Sequence, residues 1–240
     1  RYLDVPQDHS ISFWTKPSVI SGTQNLFSFQ NLHYVVRLLS TGKIGFQTHD
    51  GSSYQYCNGN TSIDTTNYHH ILVTYDSTTE TKKIYIDGEL DVSCTQGNYV
   101  AGLTNRIFTI GGVNTDFNFS GIIDEFKIYN SALTSGQIKQ DMNAGSTLAV
   151  GTTTSEAADL DDGEGNPPIA EWKFDEKTGS TANDTSGNNY TATLSGATWE
   201  SSLSCKEGAC LKFEGGSNSY ADLSSDSITD TTYTIEAWYQ

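Results

Sequence analysis

The sequence predicts an all-β protein, and three observations carry that expectation. The composition favours strands and turns: aromatic residues make up 11% of the chain, Gly accounts for 22 of 240 residues, and Thr and Ser are frequent. Short apolar or alternating runs recur along the chain, each closed by a cluster of Gly, Asn, Asp or Ser. A single segment has the spacing of a helix.

The first strand signal is SISFWTKP (10–17), where apolar and polar residues alternate until Pro17 ends the run. NLFSFQ (25–30) follows. In YVVRLLSTGKIGFQTHD (34–50) the STGK step reads as a hairpin turn, because Gly accepts the positive φ that a tight reversal needs. HHILVTYD (69–76) and KKIYIDGELDVSC (82–94) come next, with IDGE as a second hairpin turn. RIFTIGGV (106–113) and GIIDEFKIYN (121–130) complete this part. The helix is expected in SALTSGQIKQDMNAG, over Leu133 to Asn143, with Gly145 as its C-cap. Residues 146–168 are small, polar and acidic, which is a linker composition.

The formal net charge is −16. Nucleic acids and anionic membranes both need a basic surface, so neither is an expected partner. No run of eighteen apolar residues exists to cross a membrane as a helix. The surplus carboxylates suit a hard cation such as Ca²⁺. The four cysteines form two local pairs: Cys57 and Cys94 lie on neighbouring strand–turn segments, and Cys205 and Cys210 flank the turn KEG. An even count with local partners points to two disulfides and an oxidising, extracellular setting; four buried thiols are the alternative. Neither pair has the spacing of a zinc site.

After the linker the chain reads AEWKFDEKTGSTANDTSGNN (170–189), which looks like the opening of a sandwich domain placed late in the sequence. A repeat search supports this. RYLDVPQDHSISFWTKP at the start matches SYADLSSDSITDTTYTIEAWYQ at the end, pairing Tyr2 with Tyr220, Asp4 with Asp222, Ile11 with Ile235 and Trp14 with Trp238. The expected organisation is therefore the later part of one repeat (1–145), an acidic linker (146–168) and the earlier part of the next (169–240). Each part alone would expose sheet edges. The two are expected to complete one sandwich, within one chain or head-to-tail between copies.

In this order the motifs resemble the LamG-like jelly-roll family of the concanavalin A-like lectin/glucanase fold. AEWKFDE, ANDTSGNNYTATL and ACLKFEGGSNSYADL resemble its early part. ISFWTKP, YHHILVTYD, KIYIDGEL, TIGG and GIIDEFKIYNSALTSGQI resemble its later part. The resemblance implies a jelly-roll β-sandwich of two packed antiparallel sheets, outside the cell, in repeated modules of larger surface proteins. It names no ligand.

Three kinds of site follow. The loop NDTSGN offers Asp184, Asn188 and carbonyls freed by the turn at Gly187 as ligands for a structural Ca²⁺. The resemblance places this loop near GIIDEF, which adds Asp124, and Asp175 stands on the preceding strand. An Asx-type turn without metal is the alternative. Catalysis has no good candidate. Related glycan hydrolases use a Glu-x-Asp-x-Glu strand, whereas here Asp87, Glu89 and Asp91 have the wrong order and a turn at Asp87-Gly88. Asp124 and Glu125 are adjacent, so a regular strand would send them to opposite faces, and the same applies to His69 and His70. For ligand binding, Tyr54, Tyr56 and Tyr99 fall in loop-like segments and form a candidate aromatic platform for a sugar.

Two roles compete. The chain is expected to be a non-enzymatic structural or adhesive repeat of a surface protein or filament, held by calcium and disulfides, with neighbouring copies as partners. The alternative is a carbohydrate-binding module of a larger enzyme or adhesin.

Overall fold

The computed structural model describes residues 8–29, 34–95, 108–112, 117–143, 170–201, 205–206, 208–215 and 219–222. In chain order the elements are β1 (His9–Pro17), β2 (Gln24–Phe29), β3 (Tyr34–Leu38), β4 (Lys43–His49), β5 (Tyr54–Ser62), β6 (His69–Asp76), β7 (Thr81–Ile86), β8 (Glu89–Thr95), β9 (Phe108–Ile110), β10 (Ser120–Tyr129), α1 (Ser135–Met142), β11 (Ala170–Trp172), β12 (Thr181–Ala182), β13 (Ala192–Ser195), β14 (Thr198–Glu200), β15 (Cys210–Glu214) and β16 (Tyr220–Asp222).

They form two antiparallel eight-stranded sheets. One runs β14-β15-β10-β1-β6-β7-β8, with β11 also paired to β10; the other runs β12-β13-β16-β9-β2-β3-β4-β5. The fold is thus the all-β sandwich expected. The pleat explains the alternation in the sequence. Ile11 and Phe13 of β1 enter the core between the sheets, while Ser10 and Ser12 turn to the other face. Asp87 and Gly88 both have positive φ (52° and 80°), the backbone of a two-residue hairpin, and join β7 to β8.

Strands from 170–222 lie within both sheets of the same chain. β10 pairs with β1 on one side; on the other it pairs with β15 along Ser120–Ile123 and with β11 along Phe126–Ile128. Trp172 of β11 is fully buried. Its ring lies 5.6 Å from Phe108 and 6.4 Å from Phe126, and its Nε1 donates to the Tyr190 carbonyl at 2.6 Å. In the second sheet β16 pairs with β9. The linker 146–168 and the duplicated residues Tyr2, Asp4, Ile235 and Trp238 lie outside the described residues.

Both disulfides form. Cys57 of β5 bonds to Cys94 of β8, and Cys205 bonds to Cys210. β5 and β8 are the terminal strands of different sheets, so the first bond closes one side of the sandwich. Asp91 reinforces it by accepting from the backbone of Asn60 and Thr61 at 2.7 and 2.9 Å.

Helix α1 lies on the outer face of the first sheet, with Leu133 and Ile138 against Leu72, Tyr85 and Tyr129. Thr134 and Gln137 cap its start reciprocally. Its end differs from the expectation. Asn143, at φ −95°, is the C-cap, and its side chain donates to the Lys139 carbonyl at 2.7 Å. Gly145 lies outside the described residues.

Beneath α1 is a buried polar layer. Asp141 Oδ1 accepts from Lys127 Nζ and from the Tyr129 hydroxyl, each at 2.7 Å, and Oδ2 lies 3.1 Å from His70 Nε2. Burial would raise the Asp141 pKa, but Lys127 and His70 overcome it and hold the carboxyl well below its usual range. His69 and His70 do face opposite ways, yet the buried one packs under the helix, not between the sheets. His70 lies on the face of Leu72, and the Trp14 ring sits tilted against it at 5.2 Å.

Asp124 and Glu125 depart from simple alternation. Ser12 pairs with Lys127 and Trp14 with Asp124, so two residues of β10 oppose one of β1. Glu125, at φ 55°, sits in this bulge. The extra residue brings Glu125 within the electrostatic reach of Lys127, Glu171 and Asp141. Burial pushes its pKa up to about 10, against the opposing pull of Lys127.

Candidate functional site

The outer face of the second sheet carries the strongest candidate. Tyr54 and Tyr56 do not lie in a loop; they stand on β5, an edge strand. The segment YQYCNGNTS hid its strand character because it is polar on the side facing solvent. Cys57 and Gly59 mark its buried side, and alternation from Cys57 turns Tyr54 and Tyr56 outward. They are 43% and 50% exposed, and their ring centroids are 6.4 Å apart. His49 of β4 packs edge-on against Tyr54 at 4.8 Å. Tyr99 lies outside the described residues.

Arg37 stands on the same face. Its strand neighbours Val36 and Leu38 belong to the core, so pleating sends Arg37 outward. It lies in a row with Asn25 of β2, Gly45 of β4 and Asn58 of β5. Gly45 places no side chain between Arg37 and β5. Arg37 Nε donates to Asn25 Oδ1 at 3.1 Å, and the guanidinium carbon lies 5.8 Å from the Phe117 ring centroid. Burial lowers the Arg37 pKa from its ordinary value, and Tyr56 and Tyr54 push it back up.

Asn25 is fully buried, and its Nδ2 has no hydrogen-bond partner among the described residues. Its backbone N–H donates to the Phe117 carbonyl at 2.6 Å. That bond holds Phe117 beside Arg37 with a left-handed backbone (φ 59°) and the residue 49% exposed. Such a conformation costs a non-glycine residue about 1–3 kcal/mol, a strain that recurs at ligand sites. A cleft of about 400 Å³ adjoins Phe117, lined also by Val19, Ser21, Gln24, Ser120 and Glu214. Sequence reasoning missed Arg37, Asn25 and Phe117. One signal was present: Arg37 is a lone charge in the apolar run YVVRLL.

The residues named for calcium do not gather round one point. Asp184 Oδ1 accepts from the backbone of Glu171 and Ser186, and Oδ2 from Ser186 Oγ and the Tyr190 N–H, all within 2.8–3.0 Å. Gly187 makes the turn at φ 90°, and Asn188 donates to Ser186 Oγ. Asp124 and Asp175 instead hold the second disulfide loop, accepting from Lys206 N at 3.3 Å and Ala209 N at 2.7 Å. Among the described residues no three His, Cys, Asp or Glu side chains cluster as metal ligands.

The alternating carboxylates are also separated. Asp87 binds the His69 ring and the His70 N–H, Glu89 pairs with Lys139, and Asp91 holds β5.

Comparison with known proteins bears on the fold. Residues 1–139 match the family described as the concanavalin A-like lectin/glucanases superfamily. No curated protein matches the chain. Among solved structures, a putative carbohydrate binding protein from Bacteroides ovatus is 16% identical at a TM-score of 0.58, covering 80% of this chain and 53% of its own. The CBM40 of the Ruminococcus gnavus IT-sialidase, bound to α2,3 sialyllactose, is 14% identical at a TM-score of 0.50, covering 56% of this chain and 82% of its own. The same module bound to α2,6 sialyllactose gives 14% identity and a TM-score of 0.51, covering 57% and 84%. At these identities the likeness concerns the fold.

Proposed function

The chain belongs to the concanavalin A-like lectin/glucanases superfamily, and from that premise we propose that it is a non-catalytic carbohydrate-binding module of a larger extracellular protein. The saccharide lies on the outer face of the second sheet, across Tyr54 and Tyr56. One observation carries this reading: two exposed tyrosine rings on one strand face, 6.4 Å apart, share that face with a half-buried arginine across β4. A sugar presents C–H patches and hydroxyls together. Aromatic faces take the former and fixed polar groups the latter. The two disulfides suit an oxidising compartment. Two proteins of similar fold, a CBM40 bound to sialyllactose and a putative carbohydrate binding protein, add support.

A second reading rests on the correspondence between 2–14 and 220–238. It makes the chain part of a repeat array in a surface protein, in which neighbouring copies share strands. Light scattering of the purified chain distinguishes self-contained closure from head-to-tail assembly.

A glycan array followed by titration calorimetry tests the main proposal. Wild-type protein is expected to bind at least one saccharide class, with binding weakened by Tyr56→Ala. A chain that binds no saccharide overturns the proposal.

A further inference from the structure

Arg37 carries an inference that goes past sugar binding to the kind of sugar. The chain bears a formal net charge of −16, with 29 acidic against 13 basic residues. Even so, among the described residues Arg37 makes no ion pair with a carboxylate. Among the described residues its side-chain hydrogen bond goes to the neutral Asn25 Oδ1, and the groups that act on its charge are the hydroxyls of Tyr56 and Tyr54. Partial burial of a cation without a counter-ion is unfavourable, and the usual remedy is a paired carboxylate.

The geometry limits what can complete the pair. Asn25 holds Arg37 by Nε, on one edge of the planar fork. The Nη1 and Nη2 groups remain for a partner arriving from solvent, and no atom of the described residues bonds them. That end of the fork matches a planar carboxylate with two parallel hydrogen bonds. Phe117 lies on one flank of Arg37, and Tyr54 and Tyr56 stand on β5, across β4 from it and close enough to act on its charge. A heavily sulfated polymer is a poor match: it requires several cations together, and the acidic surface repels it.

We propose that the saccharide bound by this face carries a carboxylate, which pairs with the Nη edge of Arg37 while the tyrosine pair supports a sugar ring. The inference rests on the saccharide-binding reading. The pair acts as a specificity element: a neutral sugar of the same shape would leave the guanidinium without a counter-ion, so the site prefers the acid.

The test compares ligands on the unaltered protein before any variant is made. Calorimetry with oligogalacturonate and sialyllactose, each beside its carboxyl-reduced counterpart, is expected to give at least a tenfold preference for one acid. Raising NaCl is expected to narrow that preference. Arg37→Gln should remove the preference, and Arg37→Lys should keep only part of it, because the ammonium lacks the planar fork. Circular dichroism melting confirms that each variant folds. Equal affinity for acid and reduced forms overturns the inference while leaving sugar binding intact. Tighter binding of a sulfated saccharide than of either acid also overturns it. Failure to bind any saccharide removes both this inference and the reading beneath it.

Discussion

Asn25 Oδ1 accepts the Nε proton of Arg37 at 3.1 Å across the β2–β3 pair. The bond fixes which edge of the guanidinium meets solvent. The Asn25 N–H, bonded to the Phe117 carbonyl, fixes the aromatic residue beside it. A single buried asparagine thus ties two strands and a loop to one face.

Removing a ring from that face should cost affinity and little stability. Tyr54→Ala and Tyr56→Ala are each expected to weaken saccharide binding about tenfold, roughly 1.4 kcal/mol. Melting should change little, since exposed positions usually shift stability by under about 0.5 kcal/mol. Calorimetry paired with thermal melting separates the two effects. A large fall in melting temperature would mean the rings are structural.

The two disulfides should differ in weight. Cys57–Cys94 spans 37 residues and joins edge strands of different sheets, whereas Cys205–Cys210 spans 5. Loop-closure entropy puts them at about 4 and about 2 kcal/mol respectively. The Cys57→Ser, Cys94→Ser pair of changes should therefore lower the melting temperature more than the Cys205→Ser, Cys210→Ser pair. The reverse order in denaturant titrations would show that the entropic argument fails here.

Glu125 sets a pH dependence of definite sign. Its folded pKa, about 10, lies above its ordinary 4.5. Between these values the unfolded chain has lost the proton and the folded chain keeps it, so this group costs increasing stability as pH rises. Glu125→Gln is expected to raise the melting temperature at pH 8 and to flatten the slope between pH 5 and pH 9, in units of melting temperature per pH. An unchanged slope would indicate that Glu125 is ionised in the fold.

Asp141 acts with the opposite sign. Its folded pKa is depressed, so its contribution is present above the ordinary carboxylate pKa and is lost as pH falls below it. Asp141→Ala leaves Lys127 charged and buried, at an expected cost of about 3–5 kcal/mol. Urea titration measures it. A loss under about 1 kcal/mol would mean that solvent reaches Lys127 once α1 shifts.

The Asp184 loop gives a direct test for calcium. Asp184→Ala removes an acceptor for four hydrogen bonds and should lower the melting temperature equally with Ca²⁺ or with chelator. A loss that appears only in Ca²⁺ would assign the aspartate to an ion, as the composition of its loop suggests.

Much of the fold was legible in the chain itself. The alternation of Ile11 and Phe13 with Ser10 and Ser12 marked β1 and its buried face. Asp87-Gly88 marked a hairpin, because few residue pairs accept positive φ in succession. The spacing of SALTSGQIKQDMNAG marked the helix, and local cysteine spacing marked both disulfides. Each of these is decided by neighbours in sequence, through backbone sterics and side-chain period.

Only the tertiary structure decided which polar groups meet. It turned the Tyr54 segment into an edge strand, where pairing with β4 outweighs its Gly and Asn content. It gave Asp124 to the Lys206 amide and Asp184 to its own loop, and it placed Asn25 against Arg37 through the register of β2 on β3. Hydrogen-bond partners and sheet register depend on which strands become adjacent, and that adjacency is settled by burying the shared core around Phe108, Phe126 and Trp172. Sequence spacing fixes the direction of a side chain along its own strand; the non-local packing of that core determines what stands opposite it.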